Sequence, residues 1–115
     1  MNILAVGCHP DDLEIACGGT LARYAGQGDA VTMCHVANGD KGHVVIPPEE
    51  LRRIRHAEAE KSGRLLGAAE VIDLDVPDLA VDAKNEGTVS LLVDVIRKVQ
   101  PDVILTHHPD DYMRD

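Results

Sequence analysis

Ile3-Leu4-Ala5-Val6-Gly7-Cys8-His9-Pro10-Asp11-Asp12 decides the fold. Four apolar residues are followed within six positions by one histidine and two carboxylates. Pro10 has no N–H and cannot extend a sheet ladder, so a strand predicted over 2–7 ends here. Leu13-Glu14-Ile15-Ala16 then opens a helical pattern. A buried strand feeding a helix puts His9, Asp11 and Asp12 at the strand's carboxyl end, beside a helix N-terminus. In open α/β sheets that crevice is where ligands bind.

Outward from this stretch, apolar residues at 13, 16, 17, 20, 21 and 24 predict a helix over 13–27, ended by Gly26 and Gly28. Gly18-Gly19 inside it weakens the helix by up to about 1 kcal/mol each relative to Ala. Close packing on the sheet is favoured over room for a ligand as their purpose. A second strand spans 30–37 and runs into Asn38-Gly39-Asp40-Lys41-Gly42-His43, rich in turn residues. Asp40 and His43 there serve either the turn or a substrate.

Pro47-Pro48-Glu49-Glu50 has the prolines and acids of a helix entry, and the helix continues to Leu66 before Gly67. Leu51, Ile54, Glu58, Lys61 and Leu65 form a mixed stripe, so burial is partial. Arg52, Arg53 and Arg55 read on their own as a solvated face. A short strand over 71–74 precedes an irregular stretch with a turn at Pro77-Asp78. Val89, Leu92, Val93, Ile96 and Val99 predict an amphipathic helix over 86–99. After Pro101-Asp102 a strand over 103–105 delivers Thr106-His107-His108-Pro109-Asp110-Asp111.

The sum is β-α-β-α-β-α-β with strands too apolar to be half exposed. That predicts an α/β domain with a parallel sheet and helices on both faces. The commonest order, 3-2-1-4, places the first strand beside the last, where the winding reverses. Both His-Pro-Asp-Asp loops then open on one crevice, although they are about a hundred residues apart.

Composition bounds the partners. The net charge is −9, and nucleic acid or an anionic membrane needs clustered Lys and Arg. No apolar stretch approaches the roughly 18 residues of a membrane span. Three cysteines, Cys8, Cys17 and Cys34, have no disulfide spacing and suit a reducing compartment. No basic leader precedes the site motif, so the expected location is cytoplasmic. A nucleotide-binding reading fails on the missing Gly-x-Gly-x-x-Gly and on two Asp residues that would repel a pyrophosphate.

Imidazole and carboxylate are both zinc ligands, and His9 and Asp12, three apart on a turn, can reach one ion from one side. The neighbouring loop offers His107 and His108 as a third ligand. Asp11 is left beside the metal as a general base for a water whose pKa falls to roughly 7 on zinc. That is equipment for hydrolysing an amide or ester. The bland alternative is a polar turn whose Asp residues cap the following helix.

Together, Gly7-Cys8-His9-Pro10-Asp11-Asp12-Leu13-Glu14, Cys17-Gly18-Gly19-Thr20-Leu21-Ala22, Asn38-Gly39-Asp40-Lys41-Gly42, Arg55-His56-Ala57-Glu58-Ala59 with Leu66-Gly67, and Thr106 to Tyr112 resemble the LmbE-like (PIG-L) zinc deacetylases, in family order. The resemblance implies a Rossmann-like fold and removal of an acetyl group from an N-acetylated sugar or sugar conjugate. It implies His9 and Asp12 as zinc ligands, Asp11 as general base and Arg55 facing substrate or the departing acetate. Asp40, His108 and Asp115 complete the candidates in supporting roles. Imidazole and carboxylate also accept other divalent ions. A small N-acetylated sugar is the expected partner, without nucleic acid or membrane, and a homo-oligomer is compatible.

Two departures bear on this. The family's distal motif runs on to a ligand His, which would follow Asp115, and Met113 stands where many members carry a His that helps hold the oxyanion. Members also continue for roughly another hundred residues, a normal domain size. Residues 1–115 are thus expected to be the N-terminal, metal-bearing half of a deacetylase domain. The alternative is a non-catalytic metal- or sugar-binding module, or an inactive fragment.

Overall fold

The computed structural model describes residues 1–111. Strands and helices alternate as β1 (Asn2–Gly7), α1 (Asp12–Gly26), β2 (Ala30–Ala37), α2 (Pro48–Leu66), β3 (Glu70–Val76), α3 (Glu86–Val99) and β4 (Val103–Thr106). They build one parallel sheet in the order β3-β2-β1-β4, as the pattern predicts. Ile3 sits opposite Val31 of β2 and Val103 of β4, and Gly7 opposite His35. A reciprocal clasp holds the start of the β1–β4 pair. The Asn2 N–H donates to Asp102 Oδ2 at 2.7 Å, and the Asp102 N–H donates to the Asn2 carbonyl at 2.8 Å.

Period-two alternation divides β1 between two cores. Ile3 and Ala5 pack with Val31, Met33, Leu13 and Leu21 on the face covered by α1 and α2, while Leu4 packs with Cys34 and Val95 on the face covered by α3. Both faces of the central strands are therefore dry. Burial, aided by the charge of Asp73, pushes the Cys34 thiol up to about 12, so this cysteine is an inert core group.

Four local expectations need correction. β3 spans Glu70–Val76 rather than 71–74, because its polar Asp73 and Asp75 are tolerated on the half-exposed outer strand of the sheet. The buried side of α3 runs through Thr88 and Val95, while Val89, Val93 and Ile96 are exposed. This helix is apolar around much of its circumference, so periodicity did not select the side that meets the sheet. In α2, Leu65 is exposed and Leu66 packs on the core.

The fourth concerns glycine. A Cβ on Gly19 would meet nothing within 4 Å, and one on Gly18 would make only ordinary contact with Leu66. Tight packing lies elsewhere: a Cβ on Gly63 would overlap Val71 Cγ2, so Gly63 is what lets α2 lie against β3. Helix α1 itself is kinked, with Cys17 at φ −143° and ψ 15°. Among the described residues no helix is long and apolar enough to cross a membrane.

Candidate active site

Where β1 ends, the chain folds into a compact turn. The N–H groups of Asp11 and Asp12 donate to the His9 carbonyl at 2.8 and 3.2 Å. Asp12 Oδ2 in turn accepts the His9 N–H at 2.8 Å. The Asp12 carboxylate is thereby turned back over the loop. Asp11 is the N-cap of α1 but makes no side-chain capping bond. Helix capping is therefore not what these two carboxylates do.

His9 Nδ1 lies 3.6 Å from Asp12 Oδ2. Zinc ligands at bond lengths of about 2.0–2.2 Å, set tetrahedrally, are about 3.4 Å apart, so this pair fits a divalent cation with little adjustment. One donor atom from each of Cys8, His9 and Asp12 lies within 4.8 Å of the other two. In the sequence Cys8 is only one of three cysteines without disulfide spacing, and the structure brings it beside the site.

The β4 loop closes one side. His107 Nε2 lies 3.5 Å from Asp12 Oδ2 and accepts the Cys8 N–H at 3.0 Å. Its Nδ1 is 3.2 Å from Asp111 Oδ2. An Nε2 that accepts leaves the proton on Nδ1, facing the Asp111 carboxylate. The Nε2 lone pair accepts from the Cys8 backbone just past the end of β1, so His107 ties the two loops together. His108 is exposed, and its Nδ1 accepts the Asp110 N–H at 3.1 Å within its own turn. Asp115 lies outside the described residues.

Sequence reading missed Asp78, seen only as part of a turn. It is buried at 6% exposure, with Oδ1 accepting the Gly39 N–H at 2.9 Å and Oδ2 the Lys41 N–H at 3.1 Å. Its own N–H donates to Asp40 Oδ1 at 3.0 Å. Asp40 and Asp78 thus bracket the loops after β2 and β3 together. Asp78 Oδ1 also lies 4.0 Å from His9 Nε2, on the ring edge opposite Asp12. A polar residue just past the end of β3 was the available signal, since that end of the sheet carries the site.

Arg55 leaves the solvated face proposed for the arginine run. Its Nη2 donates to the Pro10 carbonyl at 3.0 Å and lies 3.3 Å from Asp11 Oδ2, while Nη1 holds Glu58 at 2.7 Å. Gly39, at φ +75°, makes room: a Cβ there would sit 3.2 Å from Arg55 Cγ and 3.3 Å from Pro10 Cδ. Arg52, by contrast, is tied to Asp75 and Glu49 at 2.7 and 3.0 Å. His9, Asp11, Asp12, Arg55, Asp78 and His43 all line one cleft of about 670 Å³, with Ile15, Ile46, Leu51 and Ile54 as apolar wall. The Asp11 side chain is half exposed in it.

Behind the site, His35 is 1% exposed, and neither ring nitrogen has a partner among the described residues. Burial depresses its pKa, with Glu14, Asp73, Asp12 and Asp11 opposing. Glu14 Oε1 accepts the Ser62 hydroxyl at 2.8 Å, and its buried Oε2 has no partner among the described residues.

Known proteins are similar to this chain in sequence and fold. A 1D-myo-inositol 2-acetamido-2-deoxy-alpha-D-glucopyranoside deacetylase of Rhodococcus erythropolis is 31% identical over 95% of this chain and 46% of its own length. The N,N'-diacetylchitobiose deacetylase of Pyrococcus horikoshii superposes with a TM-score of 0.82 at 32% identity, covering 89% of this chain and 39% of that one. The 4-carboxy-2-hydroxymuconate hydratase GalB of Pseudomonas putida gives 0.83 at 29% identity, over 97% and 50%. The chain spans about half the length of the curated relatives it matches. Residues 4–115 match the GlcNAc-PI de-N-acetylase family, and the chain belongs to this PIG-L family.

Proposed function

We propose that this chain carries the metal-binding and base-bearing part of a zinc-dependent N-deacetylase acting on an N-acetylated sugar or sugar conjugate. The observation that carries the reading is the half-exposed Asp11 carboxylate, beside the His9–Asp12 pair and 3.3 Å from Arg55, inside one cleft. Similarity to two sugar deacetylases supports the substrate class. Cys8, Cys17 and Cys34 are thiols rather than half-cystines, which suits the reducing cytoplasm.

His9 and Asp12 would hold the cation, which supplies Lewis acidity to a water and to the acetyl carbonyl. Asp11 takes the proton of the attacking water as general base. The same carboxyl group returns it to the sugar nitrogen as the C–N bond breaks and acetate leaves. Arg55 orients Asp11 and offers a cationic partner for the departing carboxylate. The apolar wall of Ile15, Ile46 and Ile54 packs against the non-reacting parts of the substrate.

The test is release of acetate from a panel of N-acetylated sugars by the native full-length protein loaded with zinc. Asp11→Asn is expected to keep zinc and lose about 10²–10⁴-fold in rate, the range of general base catalysis. Hydrolysis at the wild-type rate in that variant would remove Asp11 from the role. Zinc binding without acetate release from any sugar would favour the non-catalytic module, or water addition of the kind named for the hydratase.

A further inference from the structure

We infer that His43 is a substrate-binding residue: its Nε2–H donates a hydrogen bond to a hydroxyl oxygen of the sugar, while its Nδ1 holds the loop that carries it. The inference rests on the reading of the cleft as the site of a sugar deacetylase given above.

The sequence leaves His43 between two uses, the turn or a substrate, and the structure gives it one ring nitrogen for each. Nδ1 accepts the N–H groups of Val45 and Ile46, both at 3.0 Å. A nitrogen that accepts two backbone donors carries no proton, so the ring has its hydrogen on Nε2. Nε2 has no partner among the described residues. His43 is exposed, and it lines the cleft that holds His9, Asp11 and Arg55. The loop is also pinned at its root. Asp78 accepts the Gly39 and Lys41 N–H groups, and the Gly42 N–H donates to the Gly39 carbonyl at 3.3 Å. Hydrogen bonds thus place the ring before a ligand arrives, which lowers the ordering cost of binding.

The chemistry of the cleft selects the group that His43 meets. Asp11, Asp12, Glu58 and Asp78 line it with carboxylates, and the Arg55 guanidinium is already held by Glu58, Asp11 and Pro10. Carboxylates repel an anionic substituent and accept hydrogen bonds, whereas Nε2–H donates one without adding charge. A hydroxyl donates to a carboxylate and accepts from an N–H at the same time. An N-acetylated sugar carries several hydroxyls around its acetamide. A site built to pair with one of them discriminates against the analogue that lacks it, because its own group is left unpaired.

A double-mutant cycle tests this on the native full-length protein loaded with zinc. Acetate release is measured from N-acetylglucosamine and from each analogue lacking one hydroxyl. The variant is His43→Asn, whose Oδ1 accepts N–H groups two and three residues on, as Asx turns do, but whose amide ends short of the place of Nε2. Its melting temperature and zinc content should match wild type. Its kcat/KM for N-acetylglucosamine should fall about three- to tenfold, the worth of one neutral hydrogen bond. One deoxy analogue should lose that factor in wild type and lose no more in His43→Asn. Should the variant melt early, histidine nitrogen NMR of the wild type decides instead, with Nδ1 of His43 unprotonated and its Nε2 resonance shifted by the product glucosamine. Full kcat/KM in a well-folded His43→Asn, equal penalties for every hydroxyl in both proteins, or an Nε2 resonance unmoved by glucosamine overturns the inference and leaves the deacetylase reading standing. A wild type that releases no acetate from N-acetylglucosamine or its conjugates overturns both.

Discussion

The Cys8 N–H donates to His107 Nε2 at 3.0 Å, across 99 residues of sequence. This bond links the turn after β1 to the turn after β4, and it sets the tautomer of His107 by leaving Nδ1–H for Asp111. His107→Leu should therefore cost stability through the loss of that acceptor for a backbone N–H, about 0.5–1.5 kcal/mol for a solvent-exposed bond. His107→Gln, which retains an acceptor, should recover part of it. Urea unfolding of the three proteins measures this, and equal stability of the leucine variant would show that the tie is dispensable.

Arg55 Nη2 meets both the Pro10 carbonyl and the Asp11 carboxylate while Nη1 holds Glu58, so its planar fork spans three partners at once. Replacement by Lys keeps the charge but not the fork. Arg55→Lys is expected to lower kcat/KM by about tenfold or more, the equivalent of one charge-assisted hydrogen bond, while zinc stoichiometry stays unchanged. Retention of full kcat/KM in the lysine variant would reduce Arg55 to a surface cation.

His35 supplies a pH dependence. Burial holds its folded-state pKa below the ordinary value, so the unfolded chain takes up a proton that the folded chain refuses. Stability from this group is complete above the unfolded pKa of about 6.5 and is lost as pH falls below it toward the folded value. The slope is at most about 1.4 kcal/mol per pH unit. Denaturant midpoints between neutral and mildly acidic pH should fall in the wild type, and less so in His35→Gln. Parallel curves would mean that His35 titrates alike in both states.

Two glycines on the same face of the sheet should respond oppositely to alanine. At Gly63 the added methyl overlaps Val71, and overpacking of this kind costs about 1–3 kcal/mol. At Gly19 the methyl meets nothing, and the gain in helix propensity is up to about 1 kcal/mol. Thermal melts of Gly63→Ala and Gly19→Ala should shift in opposite directions, and a stabilised Gly63→Ala would refute the contact between α2 and β3.

Much of this was legible before any coordinates. Apolar runs ended by Pro, Gly and Asp marked β1 and β2 to the residue, because a buried strand must be apolar throughout and must stop where its ladder does. Helix α2 ends at Leu66 and Gly67 takes the left-handed cap at φ +85°, as its place in the sequence implied. The strand order followed from the alternation of strands and helices, which in turn put the β1 and β4 loops side by side. Asp78 escaped notice because an isolated Asp in a turn has no local signature. Its role exists only once the ends of β2 and β3 are adjacent.

Sequence by itself determined the element order, the parallel sheet and the cluster His9, Asp11 and Asp12, since each depends on hydrophobic pattern or on neighbours within one turn. Tertiary structure alone decided that Arg55 reaches Pro10, that His107 holds Cys8 and that Asp78 stands behind His9. Those contacts join residues 45, 99 and 69 positions apart. Only chain packing sets such distances, because a side chain's own sequence says what it can bind but not what is brought within its reach.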